Sequence, residues 1–192
     1  MSVNYYNQNA KKFFNDTVSV NMESFYREFL KYIPKGGYIL DVGCGSGRDS
    51  KAFLDKGYKI SAFDVSEEMV KMANKLTGVR IDLRAFNEVD EKNIYDGIWA
   101  CASLLHVPHN ELSAIMLKLL NALKSGGAAY VSFKHGTQER VKDGRIFTDL
   151  NEQGMTSLAE SLPSVTIKKL WLTDDRRPDR QEKWLNAILL KY

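Results

Sequence analysis

A chain of 192 residues, 44% hydrophobic and 27% charged, is sized for one globular domain, and a second independent unit is not expected. The net charge of +3 is spread along the chain, which argues against a nucleic-acid partner, and no apolar run is long enough for a membrane span. Cys44 and Cys101 alone make neither a disulfide framework nor a spaced metal cluster, and Met1 to Tyr6 lacks a leader pattern, so a reducing cytoplasm is the expected setting.

Met22, Phe25, Phe29, Leu30 and Ile33 recur at helical spacing, and Pro34 with Gly36-Gly37 ends that helix. Tyr38 to Val42 reads as a short buried strand, followed by a glycine-rich turn and a helix from about Arg48 to Lys56 closed by Gly57. A second strand, Tyr58 to Asp64, leads to a helix capped by Ser66, with Glu67 and Glu68 in the first turn where the helix dipole favours negative charge. Strands near Val79 to Leu83 and Gly97 to Ala102 continue the series. Leu112, Ile115, Met116, Leu119, Leu120 and Leu123 share a helical stripe stopped by Gly126-Gly127, and a fifth strand spans Ala128 to Phe133. A polar stretch and a weaker helix near Leu150 to Leu162 follow. Val165 to Leu172 and Lys183 to Leu190 form two strands joined by the charged loop Asp174 to Arg180, short enough for antiparallel pairing. The fold is α/β: a mostly parallel sheet, helices on both faces, and a C-terminal antiparallel hairpin.

In Asp41-Val42-Gly43-Cys44-Gly45-Ser46-Gly47-Arg48-Asp49, three glycines stand at alternate positions between a strand and a helix. Without Cβ atoms the backbone can turn sharply and approach a ligand. One or two glycines would fit a plain turn; three point to a ligand. Gly43 and Gly45 begin the dinucleotide spacing G-x-G-x-x-G, but Arg48 holds its last position, and no Lys follows as a phosphate-binding loop requires. Asp64, 21 positions after Gly43, ends the second strand, where a carboxylate can accept both hydroxyls of a ribose or simply share a turn with Ser66.

The run Asp41-x-Gly43-x-Gly45-x-Gly47 resembles the first motif of the class I S-adenosylmethionine-dependent methyltransferases. Tyr95-Asp96-Gly97-Ile98-Trp99-Ala100-Cys101-Ala102-Ser103 is similar to that family's fourth-strand motif, and Leu123-Lys124-Ser125-Gly126-Gly127 to the turn before its fifth strand, with Ser125 where many members have proline. The resemblance covers Tyr38 to Phe133. It implies a Rossmann-like sheet of seven strands in the order 3-2-1-4-5-7-6, with S-adenosylmethionine as cofactor. It places Asp41, Gly43, Cys44, Gly45 and Gly47 at the methionine part, Asp64 at the ribose, and Val65, Met69, Ala85 and Phe86 around the adenine. Cys101 and Ser103 fall near the sulfonium. Met69 and Phe86 also suit plain core positions, and Cys101, with no cation evident beside it, reads as a small buried hydrophobe before a nucleophile.

Residues 1–35 are expected to form an N-terminal lid and helix within a single domain spanning 1–192. Tyr5, Tyr6, Phe13 and Phe14 crowd one short stretch; the phenylalanines can anchor on the sheet while Tyr5 or Tyr6 lines the site, where an aromatic face favours a sulfonium cation. No Asp/Asn-Pro-Pro-Tyr motif follows the fourth strand, so a small-molecule acceptor is expected, not nucleic acid. The Tyr-rich opening, Asp41 to Ser50, and Trp99 to Val107 resemble the small bacterial methyltransferases related to tellurite-resistance proteins, which implies a chalcogen oxyanion or thiol-like acceptor. His106 and Tyr6 are the catalytic candidates: a histidine there can take a proton or merely orient the acceptor. Tyr6, Lys134 and Arg177 are further candidates for holding an anion. The alternatives are a non-catalytic S-adenosylmethionine-binding module and an NAD-dependent dehydrogenase. Oligomeric state is not legible, and no metal site is expected.

Overall fold

The computed structural model describes residues 2–177 and 180–192, so Pro178 and Asp179 of the charged loop lie outside the described residues. The element order is α1 (Ser2–Thr17), α2 (Glu23–Leu30), β1 (Tyr38–Val42), α3 (Arg48–Asp55), β2 (Lys59–Asp64), α4 (Glu67–Thr77), β3 (Asp82–Leu83), β4 (Tyr95–Ala100), α5 (His109–Ala122), β5 (Leu123–Lys134), β6 (Glu139–Lys142), β7 (Arg145–Thr148), α6 (Glu152–Glu160), β8 (Val165–Asp174) and β9 (Lys183–Lys191). Seven strands form one sheet in the order β3-β2-β1-β4-β5-β9-β8. β1 pairs in parallel with β2 and β4, and β9 runs antiparallel to both β5 and β8. The Rossmann-like α/β expectation and the order of its strands hold.

Alternation along the strands explains why both faces are covered. On β1, Ile39 packs on one side with Phe25, Phe29, Phe53 and Trp99, while Leu40 and Val42 face the cluster built by α5 and α6. On β4, Trp99 and Ile98 part in the same way. Phe29, Phe53 and Trp99 are fully buried, and each such side chain contributes about 2–3 kcal/mol by leaving water. Trp99 stacks on Tyr130 of β5 at 4.0 Å between ring centroids. Gly97 lets Phe29 and Ile33 lie against the sheet: a Cβ there would sit 2.7 Å from both.

Three segments depart from the sequence reading. The fifth strand begins at Leu123, because α5 ends at Ala122 and the Gly126-Gly127 pair lies inside the extended stretch. β3 shrinks to two residues at a sheet edge. The polar stretch after β5 is a separate two-stranded hairpin, β6–β7, with Glu139 opposite Thr148. Its two connecting residues, Asp143 and Gly144, have φ of 51° and 71°, the left-handed pair of a type I′ turn. An Asp-Gly pair between extended segments is a hairpin signal, so this element was readable from the sequence.

Candidate active site

The first half of the site is built by backbone at the carboxyl ends of β1 and β2. Gly43 has a φ of +69°, and a Cβ there would lie 2.7 Å from the Cβ of Ser103. Only glycine fits between β1 and the loop after β4. The Gly45 amide donates to Asp64 Oδ2 and the Ser66 amide to Oδ1, both at 2.9 Å. Asp64 thus ties the glycine turn to the cap of α4, with lone pairs left on both oxygens for a ligand. Burial raises its pKa, and the Ser66, Gly45 and Val65 amides pull it back in part.

Arg48, where a dinucleotide fingerprint would have glycine, grips Asp49: Nε to Oδ1 at 2.6 Å and Nη2 to Oδ2 at 2.9 Å. Asp49 also accepts from the Tyr26 hydroxyl at 2.5 Å and from Trp99 Nε1 at 2.8 Å. Burial opposes its charge, but these partners outweigh burial and hold the carboxyl below its usual range. Burial and that neighbouring charge push Asp41 up to about 8, while Ser50 Oγ donates to its Oδ2 at 2.6 Å. Arg48 Nη2 also lies 3.9 Å from Cys101 Sγ, so a cation does stand beside this thiol, contrary to the sequence reading. It does not activate it: burial, aided by Asp49, pushes Cys101 up to about 12.

The second half is built by side chains from distant segments. His106 closes a 3-10 turn after β4. Its Nδ1 lies 2.7 Å from the Ile146 carbonyl of β7, and its Nε2 lies 2.7 Å from the Tyr6 hydroxyl of α1. A carbonyl only accepts, so Nδ1 carries the proton and Nε2 accepts from Tyr6. Burial lowers the His106 pKa to about 4, which keeps the ring neutral at pH 7. Thr148 Oγ1 donates to the Val107 carbonyl and the His109 amide donates to Glu139, fastening the β6–β7 hairpin over the end of β4. Across the site, Ser66 Oγ donates to Asn7 Oδ1 at 2.7 Å, holding α1 on α4.

These halves enclose one cavity of about 610 Å³. Tyr5, Tyr6, Asp41, Gly43, Cys44, Gly45, Asp64, Val65, Met69, Phe86, Cys101, Ser103 and His106 all line it. Gly47 and Ala85 do not. A Cβ at Gly47 would meet Ala73 at 3.0 Å, so this glycine seats α3 on α4, while Ala85 starts a 3-10 turn behind Phe86. Phe13 lines the cavity too, where its ring sits 5.1 Å from Tyr6, and so serves more than anchoring. Lys134 and Arg177 also reach it, but Lys134 is paired with Glu182 at 2.8 Å and Arg177 with Asp175 through two nitrogens. Sequence reasoning missed Arg145, Ile146 and Phe147 of β7, which complete the wall. Among the described residues no group of three or more His, Cys, Asp or Glu could hold a metal, and no helix is long and apolar enough to cross a membrane.

Residues 39–127 match a protein-family model described as a methyltransferase domain. A ubiquinone biosynthesis O-methyltransferase of Xanthomonas axonopodis pv. citri (strain 306) is 32% identical over 106 residues, 52% of this chain and 44% of that protein. The chain spans just under half the length of such curated relatives. Among solved structures, the Burkholderia thailandensis 1,6-didemethyltoxoflavin-N1-methyltransferase with bound S-adenosylhomocysteine superimposes with a TM-score of 0.80 at 19% identity, covering 99% of this chain and 85% of that one. The [4+2]-cyclase SpnF does so with a TM-score of 0.76 at 16% identity, covering 99% and 94%. Residues 39–127 are therefore similar to a methyltransferase domain, and the fold is the one that the solved methyltransferases share.

Proposed function

We propose that this protein transfers a methyl group from S-adenosylmethionine to a small acceptor. The observation that carries the reading is the cavity itself, which joins the glycine turn and Asp64 on one side to the Tyr6–His106 pair on the other. The residues fit the cofactor. Its volume suits a small ligand with an acceptor beside it, Gly43 and Gly45 leave a cradle without side chains, and Met69 and Phe86 offer apolar walls. A dinucleotide is a poorer fit, because Arg48 and Asp49 occupy the start of α3 where a pyrophosphate would lie.

When bound, the cofactor supplies a methyl carbon already activated by its sulfonium, so the protein's task is alignment and exclusion of water. In this reading Asp64 accepts the ribose hydroxyls, Asp41 and the Gly43–Gly45 turn receive the methionine part, and Val65, Met69 and Phe86 bound the adenine. α1 covers the site and brings Tyr5, Tyr6 and Phe13 over it. Tyr6 and His106 take up the acceptor's proton as a relay: the acceptor gives its proton to the Tyr6 oxygen while Tyr6 passes its own proton to the neutral Nε2, which ends protonated. An acceptor already ionised, such as a chalcogen species of the tellurite-resistance type, needs that route less.

Calorimetry with S-adenosylhomocysteine, followed by labelled methyl transfer to a panel of phenols, thiols and selenite, tests the proposal. Saturable binding and labelled product are expected. Affinity for NAD without affinity for S-adenosylhomocysteine would overturn it, and binding without transfer to any acceptor would leave a cofactor-binding module.

A further inference from the structure

Beyond the glycine turn the cavity is walled by rings. Tyr5, Tyr6, Phe13 and Trp184 line it and are only half-buried, so each keeps accessible surface. Tyr6 is the centre of the group: its ring lies 5.5 Å from that of Tyr5, 5.1 Å from Phe13 and 5.5 Å from the His106 imidazole, edge to face in each case. Phe147 continues the wall at 5.0 Å from His106. Rings packed edge to face brace one another and give an apolar surface of fixed shape.

Trp184 joins this wall from β9. It stands directly across the ladder from Lys134, on the same face of the sheet, and Lys134 Nζ lies 5.1 Å from the Phe147 ring centroid. Trp184 Nε1 donates to Asp175 Oδ2 at 3.1 Å, and Asp175 is itself gripped by Arg177 through Nε and Nη2. That bond holds the indole in one orientation and spends its only polar group, so what it shows the cavity is apolar.

The charged groups of this part are spent on one another or on the rings. Lys134 is paired with Glu182 at 2.8 Å, Arg177 with Asp175, and the Arg145 guanidinium lies 3.6 Å from the Tyr5 centroid. The His106 ring is neutral at pH 7, and burial keeps the Tyr6 hydroxyl protonated. Lys142, Arg176 and Arg180 are solvent-exposed, where water and salt screen their charge. An inorganic oxyanion entering here would lose its water without meeting an uncommitted cation. A neutral ring gains both by leaving water and by meeting other rings.

We infer that the methyl acceptor is a neutral, planar aromatic molecule bearing a hydroxyl, stacked on the Trp184 indole with that hydroxyl at Tyr6. This rests on the methyl-transfer reading above. The hydroxyl is the one polar requirement of such a ring, and the Tyr6–His106 pair, joined at 2.7 Å, answers it. The acceptor oxygen bonds to the methyl carbon as the carbon–sulfur bond breaks, and the bonding pair stays on sulfur and cancels its charge. The acceptor's proton passes to the Tyr6 oxygen as Tyr6's own moves to His106 Nε2.

The test is ligand-observed NMR on the full chain loaded with S-adenosylhomocysteine, with phenol, cyclohexanol and selenite as probes. Phenol should bind, cyclohexanol of like size should bind about tenfold more weakly, and excess selenite should leave phenol in place. Trp184→Leu, which keeps an apolar side chain but no ring, should weaken phenol about tenfold and leave S-adenosylhomocysteine affinity unchanged. Trp184→Phe should fall between, and it provides the readout if Trp184→Leu does not fold. Cyclohexanol binding as well as phenol, displacement of phenol by selenite, or wild-type phenol affinity in both variants would overturn the inference. So would a loss of S-adenosylhomocysteine affinity in Trp184→Leu, since the indole would then serve the cofactor. S-adenosylhomocysteine bound without phenol would overturn the acceptor class alone. If the wild type takes no S-adenosylhomocysteine at all, the methyl-transfer reading fails first, and the ring loses its role as acceptor.

Discussion

The two walls of the cavity are made differently. The wall proposed for the cofactor draws on two short runs within residues 41–49 and 64–69, at the ends of adjacent strands, whose backbone amides and missing Cβ atoms shape the surface. The wall proposed for the acceptor takes Tyr6 from α1, Ser103 and His106 from the turn after β4, and Arg145 from β7, three separate segments, and is made of side-chain tips. Backbone-shaped surfaces tolerate few residue types, since steric limits on φ decide them; side-chain surfaces can change chemistry without disturbing the fold. The methyltransferase and cyclase neighbours sharing this fold illustrate how weakly it constrains the second wall.

Gly43→Val is the hardest blow available to the first wall. It combines a positive φ of +69° with a Cβ 2.7 Å from that of Ser103. Strain and overlap together should cost about 4 kcal/mol and remove S-adenosylhomocysteine binding. A denaturant melt and a calorimetric titration measure both. Wild-type values in either would mean that the turn is not the rigid half.

That asymmetry also sets how much was legible. Gly43, Gly45 and Asp64 at a strand end pointed to one side of the cavity, and the strand–helix alternation to a mostly parallel sheet, while the order of the strands came from the resemblance. Gly47 was drawn into the site because spacing cannot tell a glycine that faces a ligand from one that seats a helix against Ala73. The acceptor wall was half seen. His106 and Tyr6 stood out by type and position, but their hydrogen bond joins residues 100 apart, and no local pattern encodes such a contact. Arg145 stayed hidden for a different reason: its neighbours read as a polar stretch, although Asp143-Gly144 signalled the hairpin that carries it.

The second prediction concerns pH. The folded pKa of His106 is about 4, below the roughly 6.5 of an unfolded histidine, so the unfolded chain takes up the proton first as pH falls. The stability of the wild type relative to His106→Gln should therefore be constant above about pH 7 and fall by about 3 kcal/mol on going to pH 4. Asp41 works the other way: its folded pKa near 8 exceeds that of an unfolded aspartate, so its contribution declines as pH rises through about 4 to 8. Taking the difference between the two proteins cancels Asp41 and isolates His106. A flat difference would show the imidazole to be open to water, and the acceptor wall less closed than drawn.

Asp64→Asn comes next. The amide offers one accepting oxygen where Asp64 now receives from Gly45 and from Ser66, so one buried amide is left unpaired. About 1–2 kcal/mol of stability should go, along with about tenfold or more of S-adenosylhomocysteine affinity. Equal affinity in the variant would detach Asp64 from the ribose.

Tyr6→Phe makes the smallest change, and it separates the walls most cleanly. It deletes one hydroxyl and with it the hydrogen bond that ties α1 to His106, while Asn7 still receives the Ser66 hydroxyl on the cofactor side. Losing one such bond is worth about 1 kcal/mol, so local opening of α1 should become about fivefold more frequent. Amide exchange from Tyr5 to Phe14 should quicken by that factor, with exchange at Gly45 and in β1 unchanged. S-adenosylhomocysteine should slow exchange in α1 in both proteins, because α1 covers the cavity it enters. Turnover should separate by acceptor: a protonated one should lose about fivefold in kcat as the hydroxyl leaves the proton route, and an ionised one far less. Exchange that quickens equally in α1 and at Gly45 would show that the two walls open as one body.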